Sequence, residues 1–274
     1  MLAASQMPGS LRDLFDEQLA LYKRQRSITN HNRIPDTDAI PIENPQYWLK
    51  IPEVVCVFVD MKGSTKLSAT EHDKSTAGVY QLFTGTAVRL FHELEAPYID
   101  VRGDGVFALF NQDQVYRAFA AAVSFKTFAK DVFAQAVLER TALEVGAHIG
   151  IDQKTLLVRK IGLKRHGGRS DRQNEVWAGK PVNMASKLAA MGNVDQLIVS
   201  ERYHARLKDE RTLMTCGCGP GGALPGPGKK PLWREEDVRE DLNFDFNKAY
   251  VLGSIWCRNH GQEYCEAILA LDND

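Results

Sequence analysis

The chain has 274 residues, a length that suits one large domain or two small ones. Its 34 Lys and Arg residues nearly balance 35 Asp and Glu residues, so the overall charge does not favour binding to nucleic acid or to a membrane surface. No apolar run approaches the roughly 20 residues that span a bilayer. Because Met1-Leu2-Ala3-Ala4-Ser5 also lacks the pattern of a signal peptide, we expect a cytoplasmic protein.

The five cysteines, an odd number, indicate reduced thiols rather than a disulfide framework. Cys216 and Cys218, together with Cys257 and His260, are residue types that bind zinc. A single residue separates the first two, which is a tighter spacing than zinc ribbons and fingers use. The sequence therefore favours thiols without a metal.

The N-terminal residues 1–45 are predicted to form a helical extension and a linker. A helix is predicted from Ser10 to about Arg26, with an apolar stripe of Leu11, Leu14, Phe15, Leu19, Leu21 and Tyr22. This stripe suits either a partner subunit or the chain's own domain. Turn-forming residues make 28–45 a predicted linker, so the catalytic domain is expected to cover 46–274.

From Ile51 onwards, strand and helix patterns alternate. The predicted elements are a strand at 51–59, a helix at about 65–94, a hairpin of strands at 98–102 and 105–110, a helix at about 113–138, and strands at 142–151 and 154–162. This βαββαβ order predicts an α+β fold with a ferredoxin-like core, in which helices cover one face of an antiparallel-rich sheet.

The C-terminal part is predicted to add further elements to this core. A helix is expected from about Pro181, a strand at 196–200 and a last strand near 246–257. Residues 216–230 are rich in glycine and proline and are predicted to form a loop.

A basic, glycine-bearing segment follows the predicted core. Its basic residues are Arg159, Lys160, Lys164, Arg165, His166, Arg169 and Arg172, around Gly167-Gly168. Two interpretations remain open: a solvated surface loop, as most charge runs are, or a flap that faces a triphosphate.

Two aspartates end apolar stretches and lie beside glycine. Asp60 follows Val54 to Val59, and Asp104 lies 44 residues later between Gly103 and Gly105. Two carboxylates on neighbouring strands can hold two divalent cations about 4 Å apart, as two-metal phosphoryl chemistry requires. Either segment alone is also compatible with a helix cap or a β-turn.

Asn183 and Lys187 are four residues apart on a predicted helix and so share one face. An amide and a cation on one ridge suit the recognition of a ribose and a phosphoryl group. Taken alone, however, such residues are more often a helix cap and a solvated lysine.

In this order, the three motifs resemble the class III nucleotidyl cyclases. The matching segments are Asp60 with Gly63-Ser64-Thr65, then Gly103-Asp104, and then Gly179 to Leu188. The resemblance covers about residues 51–201. The run from Asn174 to Leu188 looks most like the pyrimidine cyclases of the bacterial Pycsar anti-phage defence system.

The resemblance implies a lyase that converts UTP, favoured over CTP, to the 3′,5′-cyclic monophosphate and pyrophosphate, a second messenger sensed by a separate effector protein. It implies two Mg²⁺ or Mn²⁺ ions per active site, and a homodimer whose subunits share the sites. The implied metal ligands are Asp60, Asp104 and the carbonyl of Met61. The implied catalytic residues are Asp60, Asp104, Asn183 and Lys187, and the implied substrate-binding residues are Lys62, Gly63, Ser64, Thr65, Asp100, Arg102 and Val176.

Several positions depart from the family pattern. Lys187 replaces the usual arginine, and Asp100 and Val176 occupy the positions at which adenylate cyclases carry a lysine and an aspartate that select adenine. An adenylate or guanylate cyclase remains the alternative. A nucleotide-binding module without catalysis is disfavoured because both metal aspartates are present.

Overall fold

The structure, a computed structural model, describes residues 6–40, 42, 44–163 and 172–273. These form two compact units, a larger one of residues 52–156 and 179–274, and a smaller one made of the segment up to residue 51 and residues 157–178. The predicted boundary between residues 45 and 46 stays a prediction. Within the described ranges, no helix is long and apolar enough to cross a bilayer.

The strands carry the framework of the fold. In chain order they are β1 (Ser27–Asn30), β2 (Tyr47–Lys62), β3 (Tyr98–Arg102), β4 (Gly105–Phe110), β5 (Gly146–Gly162), β6 (Gln173–Gly179), β7 (Gln196–Ser200), β8 (Trp233–Asp237) and β9 (Lys248–Leu252). The sheet of the larger unit has the order β3-β4-β2-β5-β7-β9-β8. Its first four strands have the order of a ferredoxin-like βαββαβ core, which confirms the predicted fold class.

The helices are α1 (Gly9–Lys23), α2 (Ser64–Thr70), α3 (Asp73–Glu93), α4 (Val115–Phe128), α5 (Ala134–Thr141), α6 (Lys180–Met191), α7 (Glu201–His204), α8 (Glu210–Leu213) and α9 (Gly261–Ala270). A π-helical segment, Ala129–Phe133, joins α4 to α5. The buried residues of α3 recur every fourth position from Val79 to Phe91, so one face of the helix enters the core. There Phe83 packs edge-on against Phe125, with 5.1 Å between ring centroids.

Several predicted elements are corrected by the structure. The single helix predicted at 65–94 is two helices, α2 and α3, because Glu71 and His72 have extended backbone conformations. The helix predicted at 113–138 is likewise interrupted by the π-helical segment. Strands β6 and β8 and helix α9 were not predicted.

The two strands predicted at 142–151 and 154–162 are one continuous strand, β5. Asp152 and Gln153 interrupt the apolar pattern of the sequence, yet both are buried. Burial is possible because Arg202 binds the Asp152 carboxylate and Gln153 Nε2 donates to the carbonyl of Glu53 at 3.1 Å. The strand therefore continues through the polar pair.

The smaller unit is built on short strand pairs. Strand β1 runs parallel to the start of β2, with Ser27 opposite Tyr47, and β6 pairs with β5. Helix α1 has no buried residue, and its apolar stripe is exposed in the single chain apart from half-buried Leu21.

The basic segment is only partly described. Arg159 lies over the Trp48 ring at 5.7 Å from its centroid and donates to the carbonyl of Pro45. Lys160 lies 3.9 Å from Glu175. The predicted triphosphate flap falls mainly on residues 164–171, which lie outside the described residues.

Candidate active site

The site begins at the pairing of β2 with β4, where Asp60 lies opposite Gly105. A Cβ atom on Gly105 would lie 3.1 Å from Asp60 Oδ1 and 3.1 Å from Phe58 Cζ. Both distances are shorter than ordinary van der Waals contact. Glycine at position 105 therefore leaves the room that the Asp60 carboxylate occupies.

Asp104 lies in the turn between β3 and β4, directly before Gly105. Burial of Asp60 and, to a smaller extent, the negative charge of Asp104 raise the pKa of Asp60 from 3.8 to about 6. A hydrogen bond from the Met61 backbone N–H acts in the opposite direction. Two carboxylates that repel each other in a half-buried position form a donor set that a divalent cation would stabilise. The residues present thus fit the predicted metal site.

The chain turns sharply after β2. Gly63 has φ of +93°, and a Cβ atom there would lie 3.0 Å from the carbonyl oxygen of Glu144, so the turn requires glycine. The carbonyl of Gly63 accepts from Leu67 N–H at 2.9 Å and starts α2. Lys62, Ser64 and Thr65 lie around this turn, and Met61 is buried.

The predicted base-selecting residues lie in different units. Asp100 and Arg102 are on β3, and Arg102 Nη2 lies 2.6 Å from Asp100 Oδ2, so these two side chains form an ion pair. Val176 belongs to the smaller unit, on β6, where it is exposed.

Asn183 and Lys187 both lie on α6, as the sequence predicted. The opposite face of the helix is buried through Met184, Ala185 and Leu188, which leaves Asn183 exposed. Lys187 Nζ donates to the carbonyl of Asn243 at 3.0 Å.

Sequence reasoning missed a charged network beside α6. Asp245 accepts from Lys180 Nζ at 2.7 Å, from Lys154 Nζ at 2.9 Å and from Arg202 Nη1 at 2.8 Å. Burial acts to raise the pKa of Asp245, but the hydrogen bonds from these cations hold it well below its usual value. Arg202 also holds buried Asp152, whose place inside an apolar run was the only sequence signal.

The structure thus brings Asp60, Asp104 and the turn after β2 together. In the part of the chain that the structure describes, no hydrogen bond or ion pair joins Asn183 or Lys187 to either aspartate. The four predicted catalytic residues therefore form two groups within one chain, Asp60 and Asp104 at β2 and the turn before β4, and Asn183 and Lys187 on α6.

The match to a known protein family spans both groups of predicted catalytic residues. The family described as "Adenylate and Guanylate cyclase catalytic domain" matches residues 47–229. A uridylate cyclase of Propioniciclava tarda is 38% identical over 84% of this chain and 73% of its own length. A second uridylate cyclase, from Micromonospora echinofusca, is 33% identical over 85% of this chain and 74% of its own length.

Solved structures agree on the fold. The adenylyl cyclase CyaB from P. aeruginosa superposes with a TM-score of 0.58 at 13% identity, covering 75% of this chain and 95% of that one. The guanylyl cyclase Cya2 gives a TM-score of 0.58 at 17% identity, covering 75% of this chain and 93% of that one.

Proposed function

Because this chain belongs to the family of adenylate and guanylate cyclase catalytic domains, the class III nucleotidyl cyclases, we propose that it converts UTP to cyclic UMP and pyrophosphate. The observation that carries the cyclase chemistry is the pair of neighbouring carboxylates, Asp60 opposite Gly105 on β4 and Asp104 directly before Gly105. Burial, together with repulsion from Asp104, raises the pKa of Asp60, as expected for a site arranged around cations.

The choice of a pyrimidine rests on two supports. Both uridylate cyclases named above align with most of this chain. In addition, Asp100 and Val176 replace the lysine and the aspartate by which adenylate cyclases select adenine. UTP is preferred to CTP in this proposal because both relatives are named for uridylate.

Asp60, Asp104 and the carbonyl of Met61 are the proposed ligands of two Mg²⁺ or Mn²⁺ ions. Bound there, the ions would lower the pKa of the ribose 3′-hydroxyl and offset the negative charge of the triphosphate. Backbone N–H groups of Lys62, Gly63, Ser64 and Thr65 bind phosphate oxygens.

Asn183 and Lys187 carry the rest of the reaction. As the ribose 3′-oxygen gives up its proton to solvent and bonds to the α-phosphorus, and the bond to pyrophosphate breaks, Asn183 orients the ribose. Lys187 stabilises the charge that develops on the α-phosphoryl oxygens. For this, Lys187 Nζ must exchange the carbonyl of Asn243 for a phosphoryl oxygen.

A homodimer explains why these residues form two groups in one chain. In the proposed arrangement, the aspartates of one subunit face α6 of its partner, so that a head-to-tail dimer has two shared sites. The product acts as a second messenger in anti-phage defence, and a separate effector protein binds it.

The deciding experiment incubates the purified chain with each of the four nucleoside triphosphates and Mn²⁺, and identifies the cyclic product by mass spectrometry. Cyclic UMP from UTP, with less product from CTP and none from ATP or GTP, is the expected result. Cyclic AMP or cyclic GMP as the main product would replace the proposal with the purine alternative, which the family description names. Absence of product from all four, with bound nucleotide, would indicate a silent binding module.

A further inference from the structure

Four side chains that the proposed reaction does not use come together, two from the start of the glycine-rich loop at 216–230 and two from the segment before α9. The ligand atoms of Cys216, Cys218, Cys257 and His260 all lie within 4.8 Å of one another. His260 Nδ1 lies 3.3 Å from Cys218 Sγ and 3.9 Å from Cys257 Sγ. One imidazole nitrogen thus faces two sulfurs across a short gap.

These distances match a tetrahedral metal site. With Zn–S near 2.3 Å and Zn–N near 2.05 Å, tetrahedral angles place sulfur and nitrogen about 3.6 Å apart and two sulfurs about 3.8 Å apart. The two observed nitrogen–sulfur distances lie on either side of the first value. We propose that Cys216, Cys218, Cys257 and His260 bind one Zn²⁺ ion.

The close spacing of Cys216 and Cys218, which counted against zinc in the sequence, has a structural explanation. Gly217 between them has φ of +93°, a left-handed conformation that lets the chain reverse within one residue. Gly226 then packs so closely that a Cβ atom on it would lie 1.8 Å from the carbonyl oxygen of Gly217. The tight spacing therefore does not exclude a zinc site, and the proposal departs from the expectation of thiols without a metal.

The groups around the cluster suit thiolate ligands. Asn259 Nδ2 donates to the carbonyl of Gly222 at 2.6 Å and lies 3.8 Å from Cys218 Sγ, so it fixes the loop beside the sulfur. Such outer hydrogen bonds orient metal ligands and stabilise their charged form.

Four protein ligands leave no open coordination position, which is the pattern of a structural zinc rather than a catalytic one. The ion would join the loop at 216–230 to the segment that starts α9. All four residues also line a cavity of about 620 Å³, which gives an ion access to the cluster. Zinc binding here would thus hold two distant parts of the chain together.

The test uses the full chain, purified through a tag that binds no metal, with zinc measured by mass spectrometry. One zinc per chain is expected, and replacement by Co²⁺ should give a thiolate charge-transfer band. Cys218→Ser should lose both, whereas Cys265→Ser, which changes a cysteine outside the cluster, should lose neither. His260→Cys keeps four zinc ligands and should retain the metal.

Thermal unfolding gives a second measurement that does not depend on cyclase activity. A chelator strong enough to remove zinc should lower the Tm of the wild type and of Cys265→Ser, and added Zn²⁺ should restore it. If Cys218→Ser does not fold, the chelator result on the wild type and metal retention by His260→Cys still decide. A folded wild type that contains no zinc, and whose Tm does not respond to Zn²⁺, would overturn the proposal whether or not the chain cyclises nucleotides.

Discussion

Within the candidate site, the folded, metal-free protein destabilises the charged form of the Asp60 carboxylate. Its pKa rises from 3.8 to about 6 in the folded chain, so between these values the folded state keeps a proton that the unfolded state has lost. The free energy of unfolding therefore falls as the pH rises from about 4 to 6, and the loss persists at neutral pH. A bound divalent cation would reverse this cost.

We expect Asp60→Asn to abolish cyclisation while stabilising the metal-free protein at pH 7.5. The gain should be about 1 kcal/mol, well below the full value of the pKa shift because the carboxylate is partly solvated. This corresponds to about 2 °C in Tm, measured by differential scanning calorimetry with a chelator that does not remove zinc. Glu139→Gln, an exposed carboxylate on α5, should change neither property.

The raised pKa of Asp60 also predicts how metal binding by the wild type depends on pH. Wild-type affinity for Mn²⁺ should fall about tenfold for each pH unit below about 6, because the cation must then displace the Asp60 proton. Titration calorimetry at several pH values measures this slope. A flat profile between pH 5 and 7, or Asp60→Asn that turns over like the wild type at low Mn²⁺, would contradict the metal assignment.

Gly105 makes a second prediction at the residue scale. A methyl group there would lie 3.1 Å from Asp60 Oδ1, so Gly105→Ala should displace the carboxylate by a few tenths of an ångström. Metal ligands must be placed more precisely than such a displacement allows. We therefore expect the Mn²⁺ concentration for half-maximal activity to rise several-fold, with a smaller change in Tm. Gly78→Ala, at a helical position with open space around the added methyl group, is the matched control. An unchanged Mn²⁺ requirement for Gly105→Ala would show that the carboxylate is not a ligand.

At the scale of elements, Asp245 holds the segment between β8 and β9 against α6. Its carboxylate binds Lys180 of α6 as well as Lys154 and Arg202, and the neighbouring Asn243 carbonyl accepts from Lys187. This segment therefore fixes the part of α6 that carries Lys187. It also provides the contact that Lys187 would give up in the proposed reaction.

Asp245→Ala should accordingly affect both stability and catalysis. Removing the shared carboxylate leaves three cations facing one another, and we expect the free energy of unfolding to fall by about 1–2 kcal/mol. Turnover should fall more than substrate affinity, because Lys187 would be less well positioned for the transition state. Denaturant unfolding and steady-state kinetics measure the two effects, and Glu240→Ala serves as the exposed control. Equal stability of Asp245→Ala and Glu240→Ala would show that the network does not hold the segment.

Features that are encoded within a few neighbouring residues could be predicted from the sequence. Asp60, Gly63 and Asp104 stand out because a strand end, a turn glycine and a hairpin are encoded within a few residues. The same is true of Asn183 and Lys187 on one helix. The ferredoxin-like order of strands followed from alternating patterns alone.

Features that depend on distant partners were not predictable. Asp152 looks like a break between strands until Arg202, 50 residues away, neutralises it inside β5. The zinc-type cluster needs Cys218 and His260, 42 residues apart, to meet, and it needs Gly217 in a left-handed conformation. The spacing of the cysteines in the sequence predicts neither this approach nor the backbone angle of Gly217.

At the scale of the whole molecule, the proposed reaction uses residues from two chains. Asp60 lies on β2 and Asp104 in the turn before β4, while Asn183 and Lys187 lie on α6, and no hydrogen bond or ion pair among the described residues joins the two groups. If each site takes one group from each subunit, an inactive subunit of one kind can complement an inactive subunit of the other kind.

We therefore expect that mixing Asp60→Asn subunits with Lys187→Ala subunits restores activity that neither has alone. In the mixed dimer one site collects both substitutions and the other collects none, so up to half of the wild-type activity per mixed dimer should return, by counting sites under two-fold symmetry. Product formation measured against the fraction of mixed dimer, obtained by native mass spectrometry, tests this directly. Mixing Asp60→Asn with Asp104→Asn is the matched control, because both changes fall in the same group and every site keeps a lesion. Complete subunit exchange without recovered product would mean that all four residues act within one chain, and that substrate binding must bring α6 to the aspartates of its own subunit.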